Sequence, residues 1–160
     1  MVDDCDKMDL PGQQQEETKH SIDSAFADAN AKGGTVFDLD DLKIDSIKKL
    51  PAFPDTTEEI SLFNNQIHDP NDIADVLVPL PNLKALWLND NPVVTTCSNF
   101  NTIADIMPKL EIINSQLTAK AGDWAMLFYA RDQGAQSMDQ IEALNLRGKG
   151  ILYMKTTEVF

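Results

Sequence analysis

The sequence lacks any run of about 18 apolar residues, the length that marks a membrane-spanning helix, so we expect no membrane segment. Cysteine is scarce: Cys5 and Cys97 are the only two, which argues against a disulfide framework and favours a reducing compartment. Basic residues are few as well, with 13 lysines and arginines against 26 aspartates and glutamates and a net charge of −13. Because such a chain repels phosphate backbones, nucleic-acid binding is not expected.

Motifs that carry chemistry are also missing. There is no glycine-rich phosphate loop, no nucleophile elbow, and no metal-ligand spacing between His20 and His68. The acidic run Asp38–Asp41 lacks the glycine and the distal glutamate of a calcium loop. We therefore predict no catalytic, cofactor or metal site, and a protein that is not an enzyme. The acidic start has no apolar core of a signal peptide, so we expect a cytoplasmic location.

The sequence does contain an internal repeat. The segment LKALWLNDNPV (83–93) fills every position of the spacing L-x-x-L-x-L-x-x-N-x-L. EEISLFNNQI (58–67) fills the last four positions, and VFDLDDLKI (36–44) does the same with Leu42 in place of the asparagine. From Leu42 to Asn65 and from Asn65 to Asn91, the steps lie within the usual repeat length of about 20–29 residues. The pattern predicts a mixed α/β fold, a leucine-rich-repeat solenoid.

Each part of the repeat has a structural task. The L-x-L segments should form short parallel strands on the concave face, with leucines pointing inward and the intervening side chains outward. Asn65 and Asn91 should be buried and should hydrogen-bond backbone groups where the chain leaves the strand. The segments 73–80 and 103–110 have helical spacing and prolines near their ends, which predicts helices and turns on the convex face.

The ends of the solenoid must be covered, because no repeat buries its own apolar face. We predict a disordered acidic tail over 1–14, followed by one leucine-rich-repeat domain over 15–160. Within it we expect a cap helix over about 16–32, repeats over about 35–118 and a second cap helix over about 119–132. The repeat restarts in a partial form over 141–160, and LEIINSQLT (110–118) puts Ser115 at an inward position. The first helix could instead bind a partner, and the restart could begin a longer protein.

The stretch from about Val36 to Ile151 resembles the SDS22-like leucine-rich-repeat family. The run KLEIINSQLTAKAGDWAMLFYARD, followed by IEALNLRGKGI, is similar to the N-terminal repeat region of tubulin-tyrosine-ligase-like proteins. The second resemblance implies a non-catalytic N-terminal module of a larger enzyme, whose ligase chemistry would lie in a separate downstream domain. It also implies a cytoskeletal or ciliary context, and no catalytic residue carries over to this chain.

The outward strand positions form the candidate partner-binding site. It consists of Asp38, Asp40, Glu59, Ser61, Phe63, Trp87, Asn89 and Asn114. Strands about 4.8 Å apart should bring Phe63 and Trp87 into contact, and exposed aromatic rings on a rigid sheet often anchor protein interfaces. Neighbouring acids favour a partner with Lys or Arg, either a basic or a cytoskeletal protein. We predict a monomeric protein-interaction scaffold; the alternative is that the two rings only pack on each other and on flanking loops.

Overall fold

Five short strands form one sheet in the computed structural model, which describes residues 11–97, 103–131, 134, 136 and 137. The strands follow chain order across the sheet: the first three neighbouring pairs are parallel and the last is antiparallel. Their bounds are β1 Val36–Asp38, β2 Glu59–Ser61, β3 Ala85–Trp87, β4 Ile112–Ile113 and β5 Gln116–Leu117. The predicted mixed α/β class is therefore confirmed, while the partial repeat over 141–160 lies outside the described residues.

The register of the sheet follows the sequence repeat. Val36 is paired with Glu59, Glu59 with Ala85, and Ala85 with Ile112, so one strand follows another every 23 to 27 residues. The inward residues of the strands and their extensions are completely buried: Phe37, Leu39, Ile60, Leu62, Leu86 and Leu88. The alternation therefore produces one apolar layer on the inward face of the sheet.

Helices and a 3-10 turn precede, connect and follow the strands. They are α1 Pro11–Ala31, the 3-10 turn Ile47–Lys49, α2 Pro70–Leu77, α3 Pro92–Thr96, α4 Ile103–Ile106 and α5 Asp123–Arg131. Helix α2 begins where Asp69 accepts a hydrogen bond from the backbone N–H of Asn71, with Pro70 in its first turn. Its Ile73 and Leu77 are buried in the layer beneath the sheet. No helix in the described ranges is long and apolar enough to cross a bilayer.

Two buried asparagines connect neighbouring strand ends, as predicted. Asn65 accepts hydrogen bonds from the backbone N–H groups of Leu42 and Ile44, at 3.1 and 2.9 Å. Asn91 accepts one from Ile67 at 3.0 Å, and its amide nitrogen donates to the Leu62 carbonyl at 2.7 Å. Both side chains therefore satisfy buried backbone groups of the preceding turn.

The residue before each of these turn positions has a left-handed backbone. Asp41, Asn64 and Asp90 have φ values of 61°, 50° and 59°. Aspartate and asparagine tolerate this region better than most residues because their short side chains hydrogen-bond locally. Here Asn64 donates to the Asp41 carboxylate at 2.5 Å, so two successive turns are also tied through their side chains.

The N-terminal helix starts earlier than predicted. Its first residue is Pro11, so residues 11–14, predicted to belong to the disordered tail, lie in α1. Proline is well suited to a first helical turn, where its missing N–H would be unpaired anyway, and the glutamines and glutamates that follow favour helix. Near the C-terminal end of α1, the Phe26 ring packs on Phe37 and Phe53 with centroid distances of 5.0 and 5.1 Å, which covers the first strand.

The chain reverses after β4, which changes the predicted role of Ser115. Asn114 and Ser115 have φ values of 50° and 63°, and this turn brings β5 back antiparallel to β4. Ser115 is consequently exposed, so its predicted inward position is wrong. Leu117, on β5, is fully buried.

Candidate interaction surface

The outward face of the sheet is divided into two halves by what covers it. On the β3–β5 side, Ala85, Ile112 and Leu117 are fully buried, together with Ala125 and Tyr129 of α5. These residues form a second apolar cluster, separate from the one beneath the sheet. Helix α5, predicted over about 119–132 as an end cap, therefore lies over half of the predicted binding face.

Helix α5 is held in this position by hydrogen bonds at both ends. At its start, the Glu111 carboxylate accepts from the backbone N–H groups of Gly122 and Ala125, at 2.8 and 3.0 Å. A negative charge is favoured there by the helix dipole. Towards its end, the Tyr129 hydroxyl donates to the Ser115 carbonyl at 2.9 Å, and burial raises the pKa of Tyr129.

Trp87 belongs to the covered half of the face. Its ring packs on Phe128 at a centroid distance of 5.7 Å, and its Nε1–H donates to the Ser115 hydroxyl at 3.2 Å. The register places Ser61 beside Trp87, so the predicted contact between Phe63 and Trp87 is replaced by one between Trp87 and α5. Trp87 is half-buried and serves as packing surface for the helix.

The β1–β2 half carries the exposed apolar side chains of this face. Val36 is 50% exposed and Phe63 is 39% exposed, values that are high for large apolar residues. Among the rings of the described residues, Phe63 stacks on none. Asp38 is exposed between these two residues, opposite Ser61 in the register. This open half of the face comprises Val36, Asp38, Asp40, Glu59, Ser61 and Phe63.

The two aspartates of the open half differ in what they bind. The Asp40 carboxylate accepts from the Ser61 hydroxyl at 2.5 Å and from the Phe63 N–H at 2.9 Å. It therefore holds the end of β2 in place. Among the described residues, Asp38 accepts a single long hydrogen bond, 3.3 Å from the Asp40 N–H, in an exposed position. Asp38 is thus the more available of the two for a partner.

Glu59 is a carboxylate in an unfavourable setting. It is half-buried between Val36 and Ala85 in the register, and burial is the main cause that raises its pKa. The nearby charge of Glu58 raises the pKa further, whereas the positive charges of Arg131 and Lys84 lower it. A desolvated carboxylate of this kind gains from any additional cation or hydrogen-bond donor brought close to it.

The two predicted asparagines have mainly structural surroundings. The Asn114 side chain accepts from the Leu88 N–H at 2.7 Å, so it pairs the backbone beyond β3. Asn89 is half-buried, and its backbone carbonyl accepts from the Asn64 N–H at 3.0 Å. Neither position adds to the open half of the face.

Sequence reasoning missed three residues that shape this surface. Val36 was available from the alternation of β1, as the outward position two residues before Asp38. Lys84 forms an ion pair with Glu58 at 2.8 Å and lies 5.3 Å from the centroid of the Trp124 ring. Arg131 ends α5 and contributes positive charge near Glu59. The ion pair of Lys84 follows from the register of β2 and β3, whereas its contact with Trp124 and the position of Arg131 depend on where α5 lies, which no local pattern indicates.

The described part of the chain contains no group of three or more histidine, cysteine or acidic side chains that could hold a metal ion. The acidic residues of the open half are spread along two strands, and one of them is used to fix a strand end. The arrangement is therefore one of a mixed acidic and apolar surface.

Comparison with known proteins gives limited similarities. No family model matches the chain, and no curated protein does. Among solved structures, the Mex67:Mtr2 subunits of Chaetomium match with 20% identity and a TM-score of 0.49, over 71% of this chain and 78% of that one. The SNF/U2A' complex of Drosophila melanogaster matches with 21% identity and a TM-score of 0.45, over 67% and 75%. The resemblance to tubulin-tyrosine-ligase-like proteins stays a prediction.

Proposed function

We propose that this chain is a leucine-rich-repeat domain that acts as a protein-interaction scaffold. Three features support the solenoid: the sheet register that advances by one repeat, the buried inward leucines, and Asn65 and Asn91 at equivalent turns. In such an architecture the leucines and asparagines build the frame, and the outward strand residues are free to vary. Function should then reside in the outward face.

The observation that carries the proposal is the open half of that face. Phe63 and Val36 expose apolar surface on a rigid sheet, and Asp38 and Glu59 lie between or beside them. A well-packed frame presenting aromatic and charged side chains is the usual composition of an interface centre. The proposed partner is a protein, bound by a monomer of this chain in the cytoplasm without catalysis.

A comparative capture experiment tests this function. The wild-type chain, Phe63→Ala and Ile106→Ala are used as baits with chemical crosslinking. Ile106 is the matched control, since it is an apolar residue 51% exposed on α4, away from the strands. We expect the same partner with wild type and Ile106→Ala, its loss with Phe63→Ala, and crosslinks concentrated around β1 and β2. Recovery of the same proteins by all three baits would refute the proposal.

A further inference from the structure

The open half of the face has a defined chemical pattern. Apolar side chains lie at its two ends, where Val36 begins β1 and Phe63 follows β2. Between them the outward positions carry only acids and a serine hydroxyl: Asp38, Asp40, Glu59 and Ser61. No outward position of β1 or β2 carries a positive charge.

The nearest basic residues are already engaged or lie at the edge. Lys84 pairs with Glu58 and lies against Trp124. Arg131 sits in the last turn of α5, which borders the open half on the β3 side. Within the part of the chain that the structure describes, the negative charge of the open half is therefore only partly compensated.

Among the acids of the open half, Glu59 has the carboxylate that an added cation would stabilise most. No donor in the described residues hydrogen-bonds its side-chain carboxylate, although the residue is half-buried. A carboxylate that has lost water without gaining a partner is costly, and a charge-assisted hydrogen bond from Lys or Arg offsets that cost. The positive charge of Arg131 on α5 already favours the charged form of Glu59, from a longer distance than that of an ion pair.

We propose that the open half binds a peptide segment of a partner protein that presents a lysine or arginine to Glu59 and an apolar side chain to Phe63. The two anchors are four residues apart along β2 and its extension, which is about 13 Å at the usual rise of a strand. Asp38 adds a second acid, an exposed one, beside the path between them. This inference rests on the proposed function and names the chemistry of its partner.

Two synthetic peptides test the charge requirement on the full chain. Each peptide has 12 residues, blocked ends and a glycine-serine background. One contains two lysines, each followed four residues later by a leucine, and the other has glutamate in place of each lysine. Binding is followed by amide chemical shifts in NMR titrations. We expect the lysine peptide to shift residues 36–40 and 59–63 and the glutamate peptide to leave them unchanged. Equal effects of both peptides, no binding of the lysine peptide, or shifts confined to other regions would overturn the proposal.

A pair of variants separates a specific contact from general attraction to an acidic protein. Glu59→Gln keeps the shape of the side chain and removes its charge, and Asp105→Asn removes one charge from an exposed position on α4. We expect Glu59→Gln to weaken the lysine peptide at least fivefold and Asp105→Asn to leave its Kd unchanged. Equal weakening by both variants would mean unspecific attraction and refute the site. Should this site fail while capture still depends on Phe63, the scaffold function stands with a different partner chemistry.

Discussion

Replacing Asn65 with alanine should destabilise the fold more than any comparable change at the repeat turns. The Asn65 side chain accepts from the N–H groups of Leu42 and Ile44 and donates to the carbonyls of Leu39 and Leu62. The residue is 4% exposed, so water does not readily replace these bonds. The truncation therefore leaves backbone groups without partners in the interior.

The magnitude follows from counting the groups that lose their only partner. The Leu62 carbonyl keeps a hydrogen bond from Asn91, so its loss is small. The N–H groups of Leu42 and Ile44 have no other acceptor in the described chain. An unsatisfied buried donor costs about 1–3 kcal/mol, so the two donors together give roughly 2–6 kcal/mol for Asn65→Ala, and the Leu39 carbonyl also loses its hydrogen bond from Asn65. Asn91→Ala leaves one donor, the Ile67 N–H, without an acceptor and should lower the free energy of unfolding by about 1–3 kcal/mol.

Urea unfolding followed by circular dichroism and tryptophan fluorescence measures these differences. Trp124 lies on α5 and Trp87 beneath it, so fluorescence reports the C-terminal half, whereas circular dichroism reports all elements. Gln66→Ala, at an exposed neighbouring position, should change the free energy of unfolding by less than about 0.5 kcal/mol. A loss below about 1 kcal/mol for Asn65→Ala, or one no larger than for Asn91→Ala, would refute this reasoning.

Three further predictions concern other parts of the molecule. Phe37→Ala, which empties the centre of the aromatic cluster under α1, should cost about 3–5 kcal/mol in urea unfolding, whereas Phe63→Ala should cost little. Lys120→Met should lower stability by about 1–2 kcal/mol, because its ammonium donates to three carbonyls at the end of α4, and Lys109→Met, whose ammonium donates only to the Asn82 side chain among the described residues, at 3.2 Å, is the control. Burial raises the pKa of Glu59 in the folded state, so the charged carboxylate opposes folding above that pKa. Glu59→Gln should therefore be more stable than wild type at neutral pH. The difference in stability between the two proteins should vanish as pH falls below the ordinary glutamate pKa.

Much of the frame could be predicted because it depends on local periodicity. The L-x-L alternation indicates which side chains of β1, β2 and β3 are inward, and the regular spacing indicates their register. The asparagines at 65 and 91 were assignable because a buried amide at a chain turn must pair with backbone. Each of these inferences uses only neighbours within a repeat or one repeat away.

The candidate site was harder to predict because it depends on how a helix packs across the sheet. The apolar spacing of α5 predicts that Trp124 and Phe128 are buried but leaves open which surface the helix covers. In the structure both rings are half-buried, and the buried residues of α5 are Ala125, Tyr129 and Ala130. The helix lies on the outward face, and Trp87 is thereby removed from the predicted pair with Phe63. The turn at Asn114 and Ser115 was missed as well. The repeat pattern predicts that the strand continues through these residues, whereas both have a left-handed backbone.

Binding of a partner protein to the open half of the outward face is tested by the Kd of a captured partner, determined by isothermal titration calorimetry for wild type, Phe63→Ala and Ile106→Ala. We expect Phe63→Ala to weaken binding by about 2 kcal/mol or more, roughly 30-fold, and Ile106→Ala to have no effect. A Kd that is the same for Phe63→Ala as for wild type would show that the partner binds elsewhere.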